Sequence, residues 1–223
     1  MVKKVLVVAP HPDDETLGCA GTLLDLKKKG CELQWVIVTH MSREAGYTAA
    51  QIETRVKEIE KVRKMIGFDE VVHFHRTPSK IDQVPVNELV TQFSESYNKL
   101  KPDTVFLPYQ YDVHSDHRYI FQAAIIGVKQ FRFPFIKNVF MYETISETDF
   151  GGLAGKVFRP QAFSDISKYV DKKIEIMNIY KSEIKKHPFP RSEENIRALA
   201  TQRGALINTK AAEAFMVVKQ MFE

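Results

Sequence analysis

The sequence predicts an α/β fold of three layers, in which helices cover both faces of a mostly parallel β-sheet. Apolar runs of strand length alternate with segments of helical periodicity from residue 4 to residue 142. The strand-like runs are apolar almost throughout, which is typical of parallel strands buried on both faces. Polar clusters follow two of these runs, where open sheets of this kind bind their ligands. We therefore expect a Rossmann-like three-layer sandwich with its active site at the carboxyl ends of the strands.

Each element has its own signal in the sequence. Apolar and β-branched runs predict strands at 4–9, 33–39, 71–74, 103–108 and 138–142. The helical period predicts helices at 17–29, 51–66, 87–100 and 117–128. Gly30 and Gly67 follow the first two helices, where a left-handed residue is favoured, and Pro102 ends the third helix. Beyond residue 143 we expect a flexible loop at 151–155, a long helix at 165–183 and another helix from residue 192.

Composition limits the classes of protein that this chain can belong to. With 223 residues, 44% of them hydrophobic, the chain is long enough to form a single domain spanning residues 1–223. Its net charge of +4 is spread along the chain, which argues against nucleic acid as a partner. No apolar run is long enough for a membrane span or resembles a signal peptide. Cys19 and Cys31 lie among apolar residues, so we expect buried thiols and a reducing, cytoplasmic location.

Polar clusters follow the first and the fourth predicted strand. The first cluster is His11-Pro12-Asp13-Asp14-Glu15, and the second covers residues 109–117 and ends in His114-Ser115-Asp116-His117. Strands one and four are neighbours in the common doubly wound order, so this fold places both clusters at one edge of the sheet. The two clusters are therefore expected to form one site.

The residue types in these clusters favour a metal site. Imidazole and carboxylate groups are ligands of zinc, and a catalytic zinc commonly has three protein ligands and an open position for water. Two histidines and one carboxylate would supply the ligands, which leaves other acids for proton transfer. A dinucleotide site is not expected, because the loop after the first strand lacks G-x-G-x-x-G and its acids would repel a pyrophosphate.

These motifs carry a resemblance to a known family. Residues 9–15, APHPDDE, resemble the AHPDDE signature of the LmbE-like (PIG-L) family of metal-dependent N-acetylglucosaminyl deacetylases. Residues 114–117, HSDH, look like the second motif of that family, usually H-P-D-H. Weaker similarities at 55–58, 165–167 and 212–215 extend the resemblance over nearly the whole chain.

The resemblance implies a role for each polar residue of the two motifs. Three residues would bind zinc, or another divalent metal such as Fe²⁺: His11, Asp14 and His117. Asp13 would act as the general base toward the attacking water. His114 would face the tetrahedral intermediate, and Asp116 is the expected partner that keeps the imidazole of His114 charged. Either Asp13 or His114 could protonate the leaving amine.

Two further residues are implied as substrate contacts. Arg55 begins an R-x-x-E segment in the second helix, where its guanidinium could bind hydroxyl or carboxylate groups of a substrate. Glu44 belongs to residues 43–46, REAG, which resemble a G-E-x-G loop of the family. Arg43 replaces the first glycine of that loop and would place a cationic side chain near the mouth of the pocket.

Simpler interpretations exist for several of these residues. Asp13, Asp14 and Glu15 could cap the following helix, an interaction worth about 0.3–1 kcal/mol, and Glu15 is the best candidate for capping or for supporting the site. His73 and His75 flank Phe74 in the third strand and are expected on the surface of the strand rather than in a second metal site.

The leading expectation is a zinc hydrolase that removes the N-acetyl group from a small N-acetylglucosaminyl-type substrate and that forms a homo-oligomer. An amidase of the same family that acts on a thiol conjugate or another sugar conjugate is the nearest alternative. A non-haem iron oxygenase could use the same two histidines and one carboxylate. The alternation of strands and helices and the lack of an evident co-substrate site argue against the oxygenase. A binding protein with an inactive site is disfavoured, because every polar residue of the two motifs is present.

Overall fold

Seven strands form one sheet in the computed structural model, which describes residues 2–222. The strands are β1 (Lys4–Ala9), β2 (Glu32–Thr39), β3 (Glu70–Arg76), β4 (Thr104–Pro108), β5 (Asn138–Tyr142), β6 (Ala162–Asp165) and β7 (Ala212–Lys219). Their order across the sheet is β3-β2-β1-β4-β5-β7-β6. The first five strands are parallel, whereas β7 runs antiparallel to β5 and to β6. The direction of the chain crossovers therefore changes between β1 and β4, as in doubly wound sheets.

Helices cover both faces of this sheet. They are α1 (Asp14–Lys28), α2 (Ala49–Ile66), α3 (Val86–Leu100), α4 (Ser115–Ala124), α5 (Thr148–Leu153), α6 (Val170–Met177) and α7 (Glu193–Ala205). Thr48 and Gln51 form a capping box at the start of α2, and Gly67 ends that helix with a φ of 87°. Ser192 caps α7 by accepting a hydrogen bond from the N–H of Asn195. None of the helices formed by residues 2–222 is long and apolar enough to cross a membrane.

Alternate residues of β1 point to the two faces of the sheet, and this alternation divides the core into two layers. Val5, Val7 and Ala9 belong to one hydrophobic cluster, and Leu6 and Val8 belong to the other. The first cluster includes residues of α1 and α2, and the second includes residues of α3 and α4. The predicted α/β sandwich is confirmed, with its mostly parallel sheet covered on both faces.

Element bounds depart from the sequence prediction mainly in the last third of the chain. The short helix α5 overlaps the predicted loop at 151–155, and the predicted helix at 165–183 is replaced by the end of β6 and the shorter α6. The strands β6 and β7 were not predicted. Their stability depends on pairing with each other and with β5, which a local pattern does not encode. Near the motifs, α1 begins at Asp14 rather than at Leu17, so the acids lie in its first turn.

Both cysteines are free thiols in the structure, as the sequence predicts. Cys19 lies in α1 and Cys31 lies just before β2, and both are buried. Burial raises the pKa of the Cys19 thiol well above its usual value, which disfavours the reactive thiolate form.

Candidate metal centre and active site

The first and fourth strands bring the two motifs together. β1 pairs directly with β4, in parallel, so the segments that follow the two strands leave the same edge of the sheet. His11 lies between β1 and α1, and Asp14 is the first residue of α1. His117 lies in the first turn of α4. Single ligand atoms of these three residues lie within 4.8 Å of one another, as the expected metal set requires.

The carboxylate of Asp14 lies between two imidazole rings. Its Oδ2 atom is 3.4 Å from Nδ1 of His11 and 3.3 Å from Nε2 of His117. The other nitrogen of each ring faces a second carboxylate: His11 Nε2 is 3.0 Å from Asp116, and His117 Nδ1 is 2.8 Å from Asp112. Carboxylates in this position fix the orientation and tautomer of metal-binding histidines. The donor atoms and their supporting carboxylates fit a divalent metal.

The carboxylates of this cluster stabilise the charged form of the two imidazole rings. Burial acts to raise the pKa of Asp14, but His117 and His11 outweigh it and hold that pKa well below its usual value. Burial acts to lower the pKa of His11, but hydrogen bonds to Asp116 and Asp14 raise it to about 9. The carboxylates Asp14 and Asp112 likewise raise the pKa of His117 against the effect of burial. The raised pKa values favour a second proton on each imidazole ring, and a metal that binds to these rings would displace that proton.

Asp116 makes a hydrogen bond to His11, whereas His114 was its expected partner. One carboxylate oxygen of Asp116 accepts the N–H of Ser79 at 2.7 Å and lies 3.0 Å from Nε2 of His11. A carboxylate oxygen of Asp116 also lies within 4.8 Å of a ring nitrogen of His114, without a hydrogen bond between the two side chains among the described residues. The other carboxylate oxygen accepts the N–H of Ile81 at 3.3 Å. Asp116 thereby connects the start of α4 to the segment after β3.

The surroundings of His114 favour a neutral ring, whereas a charged imidazole was expected. It is the N-cap of α4, and its Nδ1 atom accepts the backbone N–H of Asp116 at 3.1 Å. The proton of the neutral ring is therefore on Nε2. Burial, together with the positive charges of His11 and His117, lowers the pKa of His114. Nε2–H is thus available as a hydrogen-bond donor.

Asp13 occupies a strained position at the start of α1. Its φ of 142° is a conformation that residues with a side chain rarely adopt, and strain of this kind is concentrated at functional sites. The Asp13 side chain makes no capping hydrogen bond, and its carboxylate instead accepts a hydrogen bond from Arg191 at 2.7 Å. Burial and the neighbouring charge of Asp14 raise the pKa of Asp13 well above its usual value, and Arg191 opposes this shift.

Glu15 supports the backbone of this segment, as expected. Its carboxylate accepts the N–H of Asp13 at 3.0 Å and the hydroxyl groups of Thr16 and Tyr180 at 2.6 and 3.1 Å. Burial raises the pKa of Glu15 to about 7. Glu15 therefore holds the strained residue in place.

Arg55 lies in the second turn of α2 rather than at the start of that helix. The side chain is buried, and its nitrogen atoms contact groups of the chain itself. Nη1 donates to the carbonyl of Pro12 at 2.8 Å, and Nη2 donates to Glu183 at 2.6 Å and to Ser182 at 2.9 Å. The guanidinium therefore anchors the loop that carries Asp13. Substrate contact by Arg55 stays a prediction.

A cavity of about 190 Å³ opens beside the metal ligands. It is lined by residues of both motifs and by more distant side chains: His11, Pro12, Asp13, Thr39, His40, Met41, Tyr47, Arg55, Pro78, Ser79, His114, Glu183 and Arg191. Glu44 is exposed and is not among the residues that line the cavity. Met41 and Tyr47 line the cavity from the same loop. Substrate contact by Glu44 stays a prediction.

Sequence reasoning did not identify several residues that complete this site. Asp112 supports His117, and Arg191 contacts both Asp13 and Glu147. The position of Asp112 in the polar cluster after β4 was the sequence signal that could have identified it as a site residue. Arg191 lies after a proline-rich segment far from either motif, and its sequence context gave no signal.

Comparisons with known proteins agree with this geometry. The family model described as PIG-L, GlcNAc-PI de-N-acetylase, matches residues 6–126. The diacetylchitobiose deacetylase of Thermococcus kodakarensis is 24% identical over 232 residues, covering 99% of this chain and 85% of the relative. A probable N-acetyl-α-D-glucosaminyl L-malate deacetylase 2 of Bacillus anthracis is 24% identical over 192 residues, covering 81% of each chain.

Solved structures show the same fold. The N,N'-diacetylchitobiose deacetylase of Pyrococcus horikoshii superposes with a TM-score of 0.78 at 21% identity, covering 98% of this chain and 84% of that chain. The matching family model spans more than half of the chain, and it includes both the HPDDE and the HSDH motif. The chain therefore belongs to the PIG-L family, the family that its two motifs resemble.

Proposed function

We propose that this protein is a zinc-dependent hydrolase that removes the N-acetyl group from a small N-acetylglucosaminyl-type compound. One observation carries the proposal: Asp14 lies between two histidines that carboxylates orient, and the adjacent Asp13 lines the cavity beside them. The family membership and the names of the relatives support the same reaction class.

His11, Asp14 and His117 would hold the metal in this proposal. A divalent metal at this position supplies Lewis acidity, which lowers the pKa of water and polarises a carbonyl group. Asp112 and Asp116 orient the two imidazole rings, so that neither ring rotates away from the site.

Asp13 acts as the general base. A carboxylate that is committed to a metal is a poor proton acceptor, so the adjacent acid that contacts Arg191 is better suited to this task. Its raised pKa brings it closer to neutral pH, where a base accepts and releases a proton efficiently. Arg191 favours the ionised form that must accept the proton of the attacking water.

His114 stabilises the developing negative charge on the acetamide oxygen. Its Nε2–H donates a hydrogen bond while Nδ1 stays bound to the backbone of α4, so the ring is oriented before substrate binds. The lowered pKa of His114 disfavours an additional proton that this ring could give to the leaving amine. We therefore assign that step to Asp13, which returns to the amine the proton that it took from water.

Acetate release tests the proposed reaction. Zinc-loaded protein is incubated with N-acetylglucosamine and with a panel of its glycosides, disaccharides and thiol conjugates, and free acetate and amine are measured. Release of both in equal amounts is the expected result. Cleavage of a bulkier acyl group or of a conjugate alone would favour the related amidase. Oxygen consumption with an iron-loaded sample and no acetate release would favour the oxygenase, which the family membership disfavours.

We also expect residues 1–223 to fold as one domain and to form a cytoplasmic homo-oligomer that binds neither nucleic acid nor membranes. Sedimentation velocity measures the assembly state, and calorimetry is expected to show a single unfolding transition. A monomer, or two separated transitions, would contradict the corresponding expectation.

A further inference from the structure

A second cavity, larger than the one beside the metal ligands, lies between the segment after β5 and helix α7. Its volume is about 510 Å³, which is within the range of about 300–1,000 Å³ typical of small-molecule sites. None of its lining residues lines the cavity beside the metal ligands. The two cavities are therefore separate.

The second cavity contains a buried polar group without a partner. Thr144 is fully buried and lines the cavity, and its hydroxyl makes no hydrogen bond within residues 2–222. The hydroxyl oxygen is itself enclosed, so a ligand in the cavity reaches it only if the turn formed by residues 144–148 shifts. An unsatisfied buried hydroxyl of this kind costs about 1–3 kcal/mol, and a shift that gives it a partner would recover this free energy.

The walls of the cavity indicate the chemistry of that occupant. Glu143 and Arg203 neutralise each other through two hydrogen bonds of 2.7 and 2.6 Å. Asp149 adds a negative charge to the same wall, which disfavours an anion. Ile145 and Phe158 add apolar surface. An uncharged molecule with several hydroxyl groups and an apolar face, such as a sugar ring, matches these features.

A hydrogen-bonded chain connects this cavity to His117. The hydroxyl of Thr148, which lines the cavity, accepts the N–H of Thr144 at 2.8 Å and donates to Asp112 at 2.6 Å. Asp112 in turn contacts Nδ1 of His117, on the opposite side of the imidazole from Asp14. The cavity therefore lies behind the proposed metal ligand, away from the proposed reaction.

We propose that this cavity is a second binding site for an uncharged sugar or glycoside, and that its occupancy changes the environment of His117 through Thr148 and Asp112. The binding site itself is independent of the proposed deacetylation. The consequence for the metal rests on the proposed role of His117 as a ligand. A ligand that moves the Thr144–Thr148 turn changes the orientation of the imidazole, and by reciprocity a change at His117 alters the affinity of the cavity.

Binding is tested on metal-free protein with methyl glucoside, a sugar that has neither an acetamide nor a charge. The expected result is a saturable change in the backbone NMR signals of residues 143–149 and 195–203. Glucose 6-phosphate, which is an anion, is expected to bind more weakly than methyl glucoside. Ala198→Trp introduces a large ring on the cavity side of α7 and is expected to abolish binding. The matched variant Thr201→Trp, on the same helix but outside the cavity lining, is expected to bind normally. No saturable binding to the wild type, or equal binding to both variants, would overturn the site.

The connection to His117 is tested through the ring NMR signals of His117 in the same metal-free samples. These signals are expected to shift on saturation of the wild type and of Thr148→Ser, which keeps the hydroxyl. Thr148→Val retains the shape but lacks the hydroxyl, so the shift is expected to disappear while methyl glucoside still binds. Unchanged ring signals in the saturated wild type would overturn the connection. Neither zinc content nor acetate release enters these measurements, so their outcome is distinct from that of the proposed reaction.

Discussion

The carboxylate of Asp13 lies 2.7 Å from Nη1 of Arg191, although 178 positions of the sequence separate the two residues. The same guanidinium contacts Glu147 at 3.1 Å and Ser146 at 2.8 Å, so it joins the start of α1 to the turn after β5. Burial and the charge of Asp14 raise the pKa of Asp13, and the positive charge of Arg191 limits the rise. Arg191 therefore influences how much of the proposed base is ionised near neutral pH.

The first prediction separates the two adjacent acids. Asp13→Asn keeps the shape of the side chain and is expected to retain the metal, while kcat falls by about 10²–10⁴-fold, as for the loss of a general base. Asp14→Ala removes a ligand, so metal content and activity are expected to fall together, with partial recovery in excess zinc. Metal stoichiometry and acetate release are measured on both variants side by side. An active Asp13→Asn, or a fully metallated Asp14→Ala, would reverse these roles.

The second prediction concerns the pH profile. Arg191→Gln removes the positive charge that opposes the raised pKa of Asp13, so that pKa rises further. Because the base is active when ionised, the acid limb of kcat against pH is expected to move to higher pH. A shift of about 1–3 units is the usual effect of one nearby opposite charge. The control is Arg197→Gln, which loses a solvent-exposed ion pair in α7. An unmoved acid limb in Arg191→Gln would show that Asp13 is not the titrating base.

The third prediction concerns the carboxylate behind His117. Asp112→Asn leaves the ring without its charged partner and is expected to weaken zinc binding by about 10–100-fold, the usual effect of removing such support. Competition with a chelator of known affinity measures the change. Asp171→Asn, an exposed residue of α6, is the matched control. Equal zinc affinity in both variants would mean that Asp112 does not position the ligand.

The fourth prediction addresses Arg55. Arg55→Ala leaves the carbonyl of Pro12 and the carboxylate of Glu183 without their donor, and an unsatisfied buried group costs about 1–3 kcal/mol. We expect a lower melting temperature and a lower kcat, because the loop that carries Asp13 loses its anchor, with unchanged metal content. Arg63→Ala, which loses an exposed pair on the same helix, serves as the control. A rise in KM alone, with wild-type stability, would instead indicate direct substrate contact.

The sequence by itself determined the central sheet and the convergence of the two motifs. Apolar runs marked β1 and β4, and the usual strand order placed their ends side by side. His11, Asp14 and His117 were therefore expected together, and the structure brings their ligand atoms within 4.8 Å. These expectations succeeded because each depends on a local pattern and on a topology that many chains share.

Only the tertiary structure decided which side chains support these residues. Asp116 makes its hydrogen bond to His11, although it also lies close to the expected His114, and Arg191 reaches Asp13 from beyond α6. The pairing of β6 with β7 and the cavity in front of α7 likewise join segments that are far apart in sequence. Hydrogen bonds and ion pairs of this kind depend on distances of a few ångströms between distant segments. Such distances are set when the helices pack on the sheet, and the spacing of residues along the chain does not encode them.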